Sequence, residues 1–268
     1  MTAPAEPPAA EQPGSPCDPA GAPPLSIVVP VYNEGANIGR FLAGLRDHVR
    51  TPNEILIVYD FDEDDTLPAM RAMDRPPATL RLVKNTLGRG VVNALRVGLR
   101  EARGRAVVVS MADCSDDPRH VDPMAARVLD GADIVAGSRY MPGGRQLGGP
   151  RLKRFLSRLA GVTAYRLTSI PIRDLTTNFR GYSRRVAREI EIESTGGFEV
   201  ALELTVKAHL RGWRLDEIPT TWTDRTAGKS RFRLFGWLGR YLRWYTLLFG
   251  AEYLPFLFRR HRPATARQ

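Results

Sequence analysis

The chain has 268 residues, 43% of them hydrophobic, with a formal net charge of +10. That length and apolar content suit one large α/β domain or two small ones with a sizeable core. Its only two cysteines, Cys17 and Cys114, exclude a disulfide framework and fit a reducing cytoplasm. Charge is unevenly placed: residues 1–136 carry 14 Lys and Arg against 19 Asp and Glu, while residues 137–268 carry 25 against 10. Such asymmetry points to an anionic partner for the second half and a cation for the first. Phosphate groups with a metal between the halves satisfy both, although a solvated surface satisfies the counts as well.

In chain order, residues 1–24 hold 8 of the 21 prolines and lack both a basic start and an apolar run. A disordered tail without a signal peptide is expected there. Order is expected from Leu25. Ser26 to Val31 is an apolar, β-branched run, as for a strand buried on both faces. Asn37 is placed to cap a helix running to about Val49, with Ile38, Phe41, Leu42 and Leu45 on one face. Further strands are predicted at 54–59, 79–83, 106–110, 133–136 and 214–222. Helices are predicted after Asp64 and over 90–102, 152–168 and 198–211. Strands alternating with helices give an α/β fold with a mostly parallel sheet covered by helices on both faces.

Ligands of such sheets sit beyond the carboxyl ends of the strands. Polar clusters fall there five times: Asn33-Glu34, Asp60 to Asp65, Asn85 to Gly90, Asp113, and Gly137-Ser138-Arg139. Turn chemistry accounts for any one of them but strains to cover all five.

Val29-Pro30-Val31-Tyr32-Asn33-Glu34, Ser110-Met111-Ala112-Asp113 and Thr223-Asp224-Arg225-Thr226-Ala227-Gly228-Lys229-Ser230-Arg231 resemble, in the correct order, motifs of family-2 glycosyltransferases. Gly137-Ser138-Arg139-Tyr140 and Asp174-Leu175-Thr176-Thr177-Asn178-Phe179-Arg180 resemble those of the polyprenyl-phosphate, dolichol-phosphate mannose synthase-like branch. The resemblance covers Leu25 to about Arg233 and implies a GT-A type, Rossmann-like domain over 25–233. It implies that Pro30, Tyr32, Glu34, Val58, Asp60, Met111, Ala112, Asp113, Arg225 and Arg231 contact a nucleotide sugar. Met111 stands where the family's metal motif has its first acid, and the family usually has a Lys where Arg231 stands. Asp113, with Ser115, is then left to hold Mg²⁺ or Mn²⁺ through hard oxygen donors. Gly88-Arg89-Gly90 resembles the Gly-rich turn near the diphosphate, a tight turn being an equal reading.

On the acceptor side the resemblance implies that Arg139, Lys153, Arg154 and Ser157 bind a lipid phosphate, and that Asp113, Arg139 and Arg225 are catalytic. Asp174 and Arg180 read as structural first. Glu199 is expected near substrate hydroxyls or as a buried partner for an arginine. A phosphate monoester needs no strong general base, so inverting displacement with cations offsetting charge is the expected reaction. A soluble hydroxyl acceptor needs a carboxylate base instead, Asp116 or Asp117. A non-catalytic membrane-surface protein with a degenerate metal motif is the other alternative.

Residues 234–268 are expected to form a basic amphipathic helix and tail. Arg240, Arg243 and Glu252 interrupt Leu234 to Phe258, so it does not span a bilayer. Arg233, Gly236, Arg240 and Arg243 share a stripe, which suits a helix lying on the inner face of a membrane from the cytoplasm. Packing on the core or on a second subunit is the alternative, and the oligomeric state is left open. No nucleic-acid-reading module is present.

Overall fold

The computed structural model describes residues 21–74, 76–224 and 234–254. In chain order the strands are β1 Leu25–Pro30, β2 Asn53–Tyr59, β3 Leu80–Lys84, β4 Ala106–Val109, β5 Ile134–Ser138, β6 Arg145–Leu147, β7 Arg180–Ser183, β8 Leu215–Pro219 and β9 Thr221–Thr223. The helices are α1 Gly35–His48, α2 Thr66–Arg71, α3 Val91–Glu101, α4 Val121–Leu129, α5 Arg151–Leu167, α6 Arg184–Glu189, α7 Val200–Leu210 and α8 Leu234–Tyr253. The main sheet has the order β3-β2-β1-β4-β7-β5-β8, and β6 pairs with β9 in a small second sheet.

Strands β1, β2 and β4 are buried on both faces, as their β-branched runs require. One face packs against α1 and α4 through Ile38, Phe41, Met124 and Val128. The other packs against α3, α6 and α7 through Leu95, Val186 and Leu204. A Cβ at Gly98 would collide with the Val28 side chain, so this glycine lets α3 lie close to the sheet.

The structure corrects the sequence expectations in four places. The helix predicted from Asn37 begins two residues earlier. Asn37 is buried in its first turn, where its Nδ2 donates to Glu34 Oε2 at 2.7 Å. The single strand predicted over 214–222 is two, with β8 parallel to β5 and β9 parallel to β6. Strand β7 was not anticipated: it runs antiparallel between β4 and β5. Finally, Pro24 already accepts a hydrogen bond from Ala106 N at 3.0 Å, so the sheet takes hold inside the expected tail; residues 1–20 of that tail lie outside the described residues.

Helix α8 packs on the core rather than standing apart. Trp244, Leu248 and Ala251 are buried on one stripe, with Trp244 and Leu248 in a cluster with Ala164, Leu202 and Val206. Arg243, on the stripe expected to face anionic lipid, is exposed, pairs with Glu193 and lies 4.7 Å over the Trp244 ring. Among the described residues, no helix is long and apolar enough to cross a membrane.

Candidate active site

At the end of β1 the chain turns through Asn33, whose φ of 53° is unusual for a side-chain-bearing residue. The acidic run after β2 holds that turn. Asp64 accepts from Asn33 N at 3.1 Å and from Thr66 N at 2.9 Å. Asp65 accepts from Gly35 N at 2.7 Å, and Thr66 Oγ1 from Glu34 N at 2.9 Å. Asp64 and Asp65 therefore buckle β1–α1 to β2–α2 instead of forming a solvated helix start. Tyr32 meets Phe61 edge-on at 5.1 Å, and Arg89 lies 4.6 Å over the Phe61 ring. Asp60 accepts from Asn85 Nδ2 at 2.7 Å and from Gly90 N at 2.9 Å, which fixes the Gly88-Arg89-Gly90 turn on β2.

Three residues expected at the nucleotide have buried side chains. Val58 is 0% exposed and belongs to the core beneath α3, Ala112 is buried against the α1 side, and Pro30 is buried within β1. Their side chains shape the strand ends, which leaves a nucleotide contact at these positions to the backbone.

After β4 the chain makes a tight turn. Asp113 is buried and its Oδ1 accepts from Ser115 N at 3.0 Å. Cys114 sits in the left-handed region with φ 57°, a costly conformation held by this turn. Ser115 Oγ is buried without a hydrogen-bond partner. Burial, and then the charge of Asp113, push Asp116 up to about 7. Asp117 is committed elsewhere, accepting from Arg119 N and Nε at 3.0 Å as the cap of the following turn. Asp116 lines the cavity of the site, and Asp117 does not.

On the other side, Arg139 follows β5 and is locked to Asp174. Its Nε and Nη2 donate to the two carboxylate oxygens at 2.7 and 2.9 Å, and its backbone N donates at 3.1 Å. Burial alone would raise Asp174, but the Arg139 charge and hydrogen bonds outweigh it and hold the carboxyl below its ordinary range. The guanidinium fork expected to grip phosphate is thus already engaged by a carboxylate. Fully buried Arg180 supports the same segment, donating to the carbonyls of Asp174 and Thr177 at 2.6 and 2.8 Å. A hydroxyl chain joins these parts to α5: Tyr140 to Ser157 at 2.7 Å and Ser157 to Thr176 at 2.5 Å. A Cβ at Gly161 would collide with the Arg173 carbonyl, so this glycine seats α5 against the 173–175 segment.

The Asp113 turn and the Arg139 side open into one cavity of about 990 Å³. Met111, Asp113, Ser115 and Asp116 line one part of it. Arg139, Lys153, Arg154 and Ser157 line another. Strand β9 stitches the parts together: Thr223 N donates to Ser115 O at 2.9 Å, and Asp224 N to Leu147 O at 2.9 Å. Tyr32, Glu34 and Asp60 are not in this lining. Arg225 and Arg231 lie outside the described residues, in the segment that follows Asp224. Glu199 is buried, with Oε1 accepting from Gly196 N at 2.9 Å and Oε2 unpartnered.

The sequence reading missed Thr176, Trp222 and Tyr245 as cavity residues. Thr176 lies inside a motif singled out from the sequence, so proximity to Asp174 was an available signal. Tyr245 carried none, because only tertiary packing turns α8 toward the site.

The glycosyl transferase family 2 model matches residues 26–191. The chain belongs to that family. This glycosyltransferase is 32% identical over 213 residues to the polyprenol monophosphomannose synthase of Mycolicibacterium smegmatis, covering 76% of this chain and 79% of that one. It is 29% identical over 242 residues to the dolichol-phosphate mannosyltransferase of Saccharomyces cerevisiae, covering 85% and 90%. Among solved structures, it superposes with a TM-score of 0.60 on glucosyl-3-phosphoglycerate synthase from Mycobacterium tuberculosis in complex with Mn²⁺, uridine diphosphate and glucosyl-3-phosphoglycerate. That match has 19% identity and covers 92% of this chain and 82% of the other. The glycosyltransferase thus shares the GT-A-like fold of that neighbour. Among its described residues, no group of three or more His, Cys, Asp or Glu forms a metal cluster.

Proposed function

We propose that this glycosyltransferase moves a sugar, with inversion, from a nucleotide sugar to the phosphate of a polyprenyl phosphate. One observation carries the reading: a single cavity joins the Asp113 turn to the Lys153, Arg154 and Ser157 face of α5 and continues between apolar residues of α5 and α8. Leu156, Leu159, Leu242 and Phe249 are among those residues, as a hydrocarbon chain attached to a phosphate requires. The polyprenyl- and dolichol-phosphate relatives support the same acceptor.

The residues of the Asp113 turn fit a divalent cation. The donors are oxygens only, two of them adjacent carboxylates whose mutual repulsion a cation would relieve, and Ser115 Oγ is a buried hydroxyl awaiting a partner. Asp113, Ser115 and Asp116 would hold Mg²⁺ or Mn²⁺ together with substrate oxygens. Such an ion supplies charge neutralisation at the nucleotide diphosphate. Lys153 and Arg154 offset the acceptor's charge, so two anions can approach. The acceptor phosphate is itself the nucleophile, and no side chain has to take a proton from it. The Arg139–Asp174 pair fixes the wall against which the two substrates meet, and the apolar sides exclude water.

The acceptor's lipid places the enzyme at a membrane surface, and the exposed residues support that. Leu152, Phe155, Leu156 and Leu159 lie exposed at helical spacing on α5, the last two also lining the cavity, with Leu152 60% and Phe155 61% exposed, and basic Arg151 and Arg158 also on the surface. Leu242 and Tyr253 of α8 are exposed as well. This face supports peripheral docking at a membrane, which we take to be the inner leaflet. The test is transfer from a panel of labelled nucleotide sugars, with Mg²⁺ or Mn²⁺, to a polyprenyl phosphate and to soluble hydroxyl acceptors. Label entering only the soluble acceptors would refute the proposal.

A further inference from the structure

Helix α8 contributes Tyr241, Leu242, Tyr245 and Phe249 to the cavity wall. Trp244 and Leu248 are held in the core, so the rotation of the helix about its axis is fixed and Tyr245 is turned to the cavity. The Tyr245 hydroxyl is buried and has no hydrogen-bond partner. Buried polar groups are almost always paired, and a phenol that served only to pack would lose nothing as phenylalanine. An orphan hydroxyl in the wall of a substrate cavity therefore marks where a ligand atom belongs.

Its surroundings say which ligand. The groups whose charge reaches Tyr245 are Asp174, Arg180 and Tyr140, which places it at the acceptor end. At that end the Arg139 fork is engaged by Asp174, and the hydroxyls of Tyr140, Ser157 and Thr176 bond one another. Tyr245 is, among the described residues, a buried hydroxyl donor there without such an engagement. Burial drives its proton affinity well above that of an ordinary phenol, so it remains a neutral O–H donor at working pH.

We propose that the Tyr245 hydroxyl donates a hydrogen bond to a phosphate oxygen of the acceptor, so that α8 completes the acceptor site. This rests on the polyprenyl-phosphate reading above. It gives α8, which lies beyond the segment matched by the family model, a binding role separate from any contact with lipid.

The test is Tyr245→Phe, which keeps the ring and removes one oxygen. Steady-state kinetics would vary a short-chain polyprenyl phosphate and the nucleotide sugar in turn, and melting curves would be taken with and without the polyprenyl phosphate alone. The expected result is an acceptor KM raised about tenfold, from loss of one hydrogen bond to a charged group. The donor KM should be unchanged, the melting point of the free protein should not fall, and the stabilisation by polyprenyl phosphate should shrink. An active variant with unchanged acceptor KM, or one whose donor KM rises instead, overturns the inference alone. A lower melting point with unchanged acceptor KM does the same, by assigning Tyr245 to packing. A wild-type enzyme that neither uses nor is stabilised by polyprenyl phosphate overturns the acceptor reading, and this inference with it.

Discussion

Replacing Asp174 with Asn should unseat the wall between the two substrates. Asp174 is fully buried, and the Arg139 side chain beside it is 11% exposed. The carboxylate accepts three hydrogen bonds from Arg139 and further ones from Thr176 N and Thr177 N at 3.2 and 3.3 Å. Asparagine keeps the shape but removes the charge and turns an NH₂ toward donors. Removing one partner of a buried pair costs about 3–5 kcal/mol, because the other charge is stranded. For a domain of this size each kcal/mol moves the melting point by about 2–4 °C, so a fall of roughly 6–20 °C is expected. The folded-state pKa of Asp174 is depressed, so its contribution is complete above the ordinary 3.8 and is lost as pH falls through the lower folded value. The gap between wild type and variant should therefore stay constant near neutrality and narrow only below about pH 4. Thermal and urea melts across pH measure both effects. A fall of less than about 2 °C at pH 7 would refute the view that this pair is a structural clamp.

Ser115→Ala should leave the apo protein as stable or up to about 1 kcal/mol more stable, since it removes an unpaired buried hydroxyl, while weakening metal-dependent nucleotide binding. Melting curves with and without Mn²⁺ and nucleotide would separate the two effects. Gly161→Ala forces a methyl into the Arg173 carbonyl, so α5 must shift by an ångström or so; acceptor KM should rise while nucleotide-induced stabilisation stays the same. Phe155→Asp on the exposed face of α5 should lower co-sedimentation with anionic vesicles severalfold at unchanged melting point, and equal sedimentation would remove this face from the membrane contact.

Much of the fold was legible because β1, β2 and β4 are continuous apolar runs and α1 and α3 carry clean apolar stripes. Strand β7 was not, since Arg180-Gly181-Tyr182-Ser183 has neither an apolar run nor alternation. Only its neighbours make it a strand: Gly181 packs on Met124 with no room for a Cβ, and Arg180 finds its partners through Thr177, Asp174 and Thr205. In the site, the acids after β2 were visible as a cluster, but their use as a buckle for Asn33 depends on a contact across 31 positions. The engagement of Arg139 by Asp174 spans 35 positions and was equally hidden, although both residues had been singled out. The helix cap assigned to Asn37 failed because the positive φ at Asn33 lets α1 start at Gly35.

The reversed direction of β7 has a mechanical consequence. Its first residue, Arg180, faces the edge where the parallel neighbours end, so the chain reaches that edge before entering the sheet rather than after leaving it. The stretch from Asp174 to Phe179 is thereby tethered twice, by the central ladder behind it and by the bond to Arg139 in front. A segment clamped at both ends has no free swing. Among the described residues it forms a fixed wall of the chamber, against which substrates must be seated.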